Sequence, residues 1–472
     1  MKNIVSYVFV LIFFLGCEKK EVEVFDVVIR DANVINVLSG EIKKQTLYIR
    51  NDRIKKITSH NYLNFTSEFI IDATGKYVLP GFWDNHVHFR GGDSLIQANK
   101  ATLQLFLMNG VTTVRDAGGD LTRNVMDWKN QIRQKTLVGP TIFSSGPKVD
   151  GQNSRWEGSL VVSHNDEINS VLDSLQKLRV DFVKLYDSSI SGVLYLKTIA
   201  EASQRGLITS GHIPFTVQLD QTLDAGIGAI EHLYYILKGC SSREDYITEA
   251  IIKGDENFWS SMPKLLKTYE PLRAQNVFDK LVQADTYVVP TLRISEVLSQ
   301  LDVDNHFDDA YLKVMPRELL KTYENRVLGF LESSENIKND RKEIHDFFEV
   351  LIKSLSDAHV KILAGSDTGA YNSYIYPGVS LHEELDAMVQ AGISNLEALQ
   401  TSAYNGANFL KKTQDYGSVE AGKMSDLVIL GSNPLNDIKS TRDIKYVLKG
   451  SDVYNPEIIA MQLGCSDCLG LK

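Results

Sequence analysis

Eight short runs rich in β-branched and apolar residues recur through the middle of this chain, each followed by a stretch with helical patterning. That alternation constrains the fold more than any other feature. The runs end at 85–88 or cover 110–116, 141–146, 182–186, 208–212, 229–232, 287–292 and 361–367. Eight strand–helix units over about 280 residues lie close to the ~250 typical of a barrel with insertions, and they predict an α/β chain with a (β/α)8 TIM barrel over 79–414. Residues 238–285 and 295–350 are long, charged and helical in pattern, and are expected to pack around or over the barrel mouth. No repeat with a period of roughly 20 to 50 residues is evident, which argues against a solenoid or a propeller.

Both ends of the chain carry a different pattern. From Phe25 to about Thr74, short alternating runs are separated by turn signals such as Asp-Ala-Asn, Ser-Gly and Asn-Asp, and similar runs return at 426–430 and 444–448. Period-two alternation of this kind predicts a small antiparallel module rather than helices. The expected arrangement is a composite β-sandwich domain formed by 25–78 and 415–460, with a tail over 461–472.

The first residues read as a leader. Met1-Lys2-Asn3 precede an apolar run, 4–15, then Gly16-Cys17 and the charged stretch 18–21. Roughly 20 apolar residues are needed to span a bilayer, so the run is short for a transmembrane helix and fits a signal peptide over 1–16. Phe14-Leu15-Gly16-Cys17 resembles a bacterial lipoprotein cleavage box, which implies lipidation of Cys17, a tether over 17–24, and an exported protein held at the cell envelope, on a periplasmic or outer-membrane face. The remaining cysteines are Cys240, expected to be structural, and Cys465 and Cys468, whose spacing allows a small disulfide in an oxidising compartment. The formal net charge of -10 offers no excess of cations for a phosphate backbone, so no nucleic-acid partner is expected. Removing 1–16 deletes one charge, Lys2, and leaves -11. Whether the chain forms a homo-oligomer is left open.

Polar residues at the strand ends carry the chemistry. His86 and His88 are two apart, a spacing that puts both imidazoles on one face of a strand, where they can grip one cation. Lys184, His212, His232 and Asp367 follow at the ends of the fourth, fifth, sixth and eighth runs. Barrel enzymes place their working groups at these carboxyl ends.

His86-Val87-His88, Lys184, His212, His232 and Asp367, in this order, resemble the metal-site pattern of the amidohydrolase superfamily. The flanking stretches 78–85, 230–232 and 364–368 strengthen the likeness, as does the return at 417–428. The chain is similar in particular to the branch of imidazolonepropionase-like proteins and Xaa-Pro dipeptidases of the prolidase type. The resemblance implies that His86, His88 and Asp367 hold one metal and His212 and His232 another. It also implies that Lys184 is carboxylated by carbon dioxide to a bridging carbamate, since a free ammonium has no lone pair to offer. Pairing of Lys184 with a carboxylate at the barrel mouth is the other reading. The cofactors implied are two divalent ions, zinc by ligand type, with manganese or iron as alternatives.

Two close cations lower the pKa of a bridging water and polarise a carbonyl, the two hardest requirements of amide hydrolysis. Asp367 is the candidate to take the proton and pass it to the leaving nitrogen. Arg115, Arg155, Tyr186, Tyr234, Tyr235 and Arg293 lie near strand ends or the loops after them, where an arginine would clamp a substrate carboxylate; each also fits an ordinary ion pair or a packed ring. His382 is expected to be structural. Ile213-Pro214-Phe215 after His212 is bulkier than the small residue often found there, so the pocket is expected to differ from those of relatives. The resulting expectation is a hydrolase of a small dipeptide or N-acyl amino acid. The alternatives are a cyclic amide or lactone hydrolase using the same ligands, or a non-catalytic ligand-binding lipoprotein.

Overall fold

The computed structural model of the chain describes residues 22–59 and 64–469. The expected leader over 1–16, the lipidation site Cys17 and most of the tether lie outside the described residues, as do the last three residues of the tail. Among the described residues, no helix is long and apolar enough to cross a membrane.

The amino-terminal strands are β1 (Glu23–Ile35), β2 (Ile42–Arg50), β3 (Arg53–Thr58), β4 (Phe65–Asp72) and β5 (Tyr77–Pro80). β1 pairs antiparallel with β2, and β2 with β3, through tight turns such as Asn51-Asp52, whose φ angles of 53° and 61° suit the short polar side chains found there. β1 is interrupted between Ile29 and Ala32. Its first half pairs with β4 and its second half with β5, both in parallel. The sheet is therefore mixed where an antiparallel one was expected, because β4 and β5 reach β1 only after the β2–β3 hairpin has reversed the chain twice.

The central strands are β6 (Phe82–Val87), β7 (Val111–Asp116), β8 (Thr141–Ser144), β9 (Val149–Asp150), β10 (Leu160–Val161), β11 (Val183–Leu185), β12 (Thr209–Gly211), β13 (Ala229–Glu231) and β14 (Tyr287–Val289). They form two all-parallel sheets, β6-β7-β8 and β10-β9-β11-β12-β13-β14. Helices such as Thr122–Arg133, Glu167–Leu178 and Gly192–Gln204 connect them and bury their apolar stripes against one continuous core. The eighth expected strand, 361–367, is not continuous. It makes single parallel bridges, Ile362 to Val288 of β14 and Thr368 to Val87 of β6.

The chain then returns through β15 (Leu427–Leu430), β16 (Ile444–Lys449) and β17 (Asp452–Tyr454). β15 pairs antiparallel with β5, so strands from both chain ends join in one forked, eight-stranded hydrogen-bonded sheet. Its forked halves bury a shared cluster that includes Val27, Ile49, Ile71, Val78, Leu427 and Leu448. Cys465 and Cys468 form a disulfide, and Cys240 is buried and free.

A candidate metal centre

Side chains on one face of the parallel sheets stack in tiers, because residues two apart on a strand share a face. The lowest tier is apolar and holds Trp83, Phe143, Phe182, Ala229, Tyr287 and Leu363. Above it lies a buried polar tier. Arg115 donates from Nη2 to both oxygens of Glu231 (2.9 and 3.2 Å), from Nη1 to Ser210 Oγ (3.0 Å) and from Nε to the Asn85 carbonyl (2.5 Å). Burial alone would raise the Glu231 carboxyl, but Arg115, Lys184 and His86 together hold it well below the usual range.

The third tier is the histidine and carboxylate cluster. His86 Nε2 lies 3.1 Å from His88 Nε2 and 3.5 Å from Asp367 Oδ1; His88 Nε2 lies 3.2 Å from the same oxygen. His212 Nε2 and His232 Nε2 are 3.1 Å apart. Ligand atoms of His86, His232 and Asp367 all fall within 4.8 Å of one another. Lys184, completely buried, ends 3.5 Å from Glu231 and has no hydrogen-bond partner at Nζ. Thus the six residues expected to form the site fall in one contiguous cluster, which Lys184 joins through Glu231 and His212 through His232.

The remaining ring nitrogens explain what the cluster is built for. Each Nδ1 is engaged away from the centre: His86 with Glu231 (2.5 Å), His88 with the Gly118 carbonyl (2.8 Å), His212 with Asp187 (3.1 Å) and His232 with Thr291 Oγ1 (2.7 Å). With Nδ1 protonated and donating, Nε2 carries a lone pair. Burial pushes all four imidazoles below their ordinary pKa and keeps them neutral. Four lone pairs and a carboxylate converging without hydrogens between them fit a divalent cation, and partners on the far nitrogen are how metal-binding histidines are oriented. Burial also pushes the Lys184 ammonium down to about 8. Asp367 is raised by burial but held below the usual carboxylate range by His86, His232, Arg90 and Arg326, and Asn372 Nδ2 donates to its Oδ1 (2.8 Å).

Local backbone makes this convergence available. β6 bulges between Asp84 and Val87, which brings Trp83 and His86 onto one face despite their odd spacing. Glu231 and His232, adjacent in sequence, would point to opposite faces of a regular strand; His232 has φ 67°, which breaks the alternation and turns both to the site. Asp367 (φ 60°) and Thr291 (φ 50°) share this left-handed conformation, which costs on the order of 1–3 kcal/mol per residue. Gly365 is required by close approach, since a Cβ there would sit 2.6 Å from His86 Cβ. Glu384 accepts the N–H groups of Leu292 and Arg293 at the start of helix Leu292–Ser299, just after Thr291, and burial raises its carboxyl to about 8.

A cavity of about 900 Å3 opens above the cluster. Of the weaker candidates, Arg155, Tyr186, Tyr234 and Tyr235 line it. Arg115 does not: it is wholly buried beneath the cluster and clamps Glu231 rather than a substrate carboxylate. Arg293 also lies off the cavity wall, paired with Glu296 (2.7 Å) and Glu383 (3.1 Å). His382 is buried between Thr441 Oγ1 and the Asn109 carbonyl. Phe215 shapes the pocket at one remove, packing against the cavity-lining Phe258 at 4.7 Å between ring centres.

Sequence reading missed Glu231, Asp187, Thr291, Arg90, Asn372 and Arg326. Glu231 and Asp187 had a signal, an acid beside an already suspected strand-end residue. Arg326 had none, because it comes from helix Glu324–Leu331, one of the helices that roof the cavity together with Phe258–Lys267 and Glu335–Asp357. Two of these helices start on side-chain caps, Asn257 to the Ser260 N–H and Ser334 to the Ile337 N–H.

A family model described as the amidohydrolase family matches residues 77–455. An adenine deaminase of Listeria welshimeri is 36% identical over 89 residues, which is 19% of this chain and 14% of that protein, so the chain spans only about a seventh of that relative's length. Among solved structures, a Xaa-Pro dipeptidase with bound methionine in its active site superposes with a TM-score of 0.66 at 18% identity, covering 91% of this chain and 99% of the other. A bottromycin amidohydrolase superposes with a TM-score of 0.70 at 18% identity, covering 93% and 90%. These structural likenesses are likenesses of fold.

Proposed function

The chain belongs to the amidohydrolase family, and from that premise we propose that it is a metal-dependent hydrolase of carbon–nitrogen bonds acting on a dipeptide or an N-acylated amino acid. The observation that carries this reading is the convergence of four histidine Nε2 atoms and Asp367 at the base of one cavity, with every Nδ1 hydrogen-bonded away from the centre. In this reading His86, His88 and Asp367 would hold one divalent cation and His212 and His232 a second, and a carboxylated Lys184 would supply the remaining oxygen donors; zinc would suit these nitrogen and oxygen ligands. Such ions would make water acidic near neutral pH and polarise the substrate carbonyl.

The chain's own groups do the rest. Asp367, ionised and oriented by Asn372, accepts a proton and returns it to the leaving nitrogen. Burial lowers the Lys184 ammonium to about 8, which raises the fraction of neutral amine that carbamate formation needs over that of an ordinary lysine. Arg155 and Arg326 on the cavity wall meet a substrate carboxylate, and the roofing helices limit access of bulk water. Metal analysis of the purified protein is expected to find close to two equivalents per chain. One equivalent, with an unmodified Lys184, would overturn the binuclear site.

The reading extends to architecture and location. The two parallel sheets are taken as arcs of one closed (β/α)8 barrel over 79–414. Support comes from the bond of the Asp181 N–H to the Ser144 carbonyl between β8 and β11, and from the bridges of 361–368 to β14 and β6. The forked sheet is taken as the composite β domain of 25–78 and 415–460. Export and a lipid anchor on Cys17 rest on the sequence of residues 1–17; expressed in bacteria with radiolabelled palmitate, the chain is expected to take up label, and Cys17→Ser to take up none. Labelling that survives Cys17→Ser would sink the anchor.

A further inference from the structure

Two buried basic side chains beside the metal centre, Lys148 and Arg90, have donors without acceptors, and burial together with Arg90 pushes the Lys148 ammonium well below its ordinary range. Lys148 Nζ lies 4.7 Å from the centre of the Trp156 ring and 5.2 Å from that of Tyr186, while the Arg90 guanidinium lies 4.2 Å from the Trp156 ring. Lys148 is 2% exposed and Arg90 4%. Among the described residues neither is ion-paired; Lys148 Nζ has no hydrogen-bond acceptor, and Arg90 uses only Nε, on the Ala370 carbonyl at 2.9 Å. Of the carboxylates nearby, Asp120 and Glu157 line the same bay, Asp120 accepting the Gly91 and Gly92 N–H groups; the buried Asp116 accepts from Ser144 Oγ and the Phe89 N–H, and Asp187 is taken by Tyr235 and His212, so that none of them is ion-paired with Lys148 or Arg90. Lys148 and Arg90 line a bay of about 280 Å3 that shares Arg90, Arg155, Trp156 and Tyr371 with the main cavity.

Buried charges in proteins are paired, because an unpaired one forfeits its hydration without return. Aromatic faces supply part of the compensation here, but they leave the Lys148 hydrogens and the Arg90 Nη groups unspent. We propose that this bay receives a second anionic group of the substrate, so that the preferred substrates are amides of acidic amino acids, with one carboxylate at the cavity arginines and the side-chain carboxylate between Lys148 and Arg90. Trp156 and Tyr371 line the bay beside Lys148 and Arg90, and Tyr186 stands where it meets the main cavity. This inference rests on the amide-hydrolase reading for the bond that is cut, but not for the charge that is bound.

The test compares N-acetylglutamate with N-acetylglutamine, which differ in that one charge. Binding is measured by calorimetry on metal-loaded Asp367→Asn protein, so that neither compound is consumed, and turnover is measured on the unaltered enzyme. The glutamate derivative is expected to bind more tightly by about tenfold to about a hundredfold, the range of a charge-assisted hydrogen-bonded contact. Adding Lys148→Met is expected to bring the ratio close to one, whereas Lys148→Arg keeps most of it. Equal affinities, or a ratio that Lys148→Met leaves unchanged, would overturn the subsite; if Lys148→Met does not fold, the ratio in the Lys148-containing protein decides alone. Preference in binding with no turnover of either compound would overturn the hydrolase reading and leave the subsite standing, and turnover without preference would do the reverse.

Discussion

Asp367→Asn is expected to lower turnover by about 10²- to 10⁴-fold, the span associated with a positioned general acid or base, while the protein keeps its fold. Asparagine has the same shape, and its amide oxygen can still accept the hydrogen bond that Asn372 Nδ2 now gives to Asp367 Oδ1 at 2.8 Å. The backbone should also hold, since asparagine tolerates the left-handed φ of 60° found at this position. What is lost is the ability to accept and return a proton. Kinetics on whichever dipeptide or N-acyl amino acid a substrate screen identifies, set beside the denaturation midpoint and the metal content, would separate these effects. An unchanged midpoint with full turnover would remove Asp367 from the chemistry, and a collapsed midpoint would make its role structural.

Arg115→Met is expected to destabilise the protein by about 3–5 kcal/mol, the range for breaking a buried ion pair by removing one partner. Arg115 and Glu231 are both fully buried, and Arg115 supplies two of the contacts that hold the Glu231 charge. Methionine fills much of the volume between Phe182 and Phe409, whose rings lie 4.9 and 5.1 Å from the guanidinium, so the cost should come from the stranded carboxylate rather than from a cavity. Coupling Arg115→Met with Glu231→Gln should recover part of the loss in urea denaturation, because the unpaired charge is then gone. A double variant as unstable as the sum of the two single changes would show that charge pairing is not the cause.

Much of the site was legible because strand geometry is simple. Alternation of strand and helix signals located the ends at which His86, His88, Lys184, His212, His232 and Asp367 fall, and period-two logic correctly set His86 and His88 on one face. The same logic failed wherever the backbone leaves the regular strand. It could not anticipate the bulge in β6, the left-handed turn at His232 that sends Glu231 to the same side, or the broken strand at 361–367. It also left Arg115 and Arg293 undecided between a substrate clamp and an ion pair, since an arginine near a strand end looks the same whether it points into a cavity or beneath it; both are ion-paired.

By itself the sequence determined the α/β alternation, the return of the chain end into the first sheet and the order of the candidate metal-ligating residue types, because these follow from local periodicity and from the identity of the side chains. Only the tertiary structure decided which groups are buried together. Burial is a property of the packed whole: it keeps four histidines neutral, commits Arg115 to Glu231, and brings Lys148 and Arg90 to one bay.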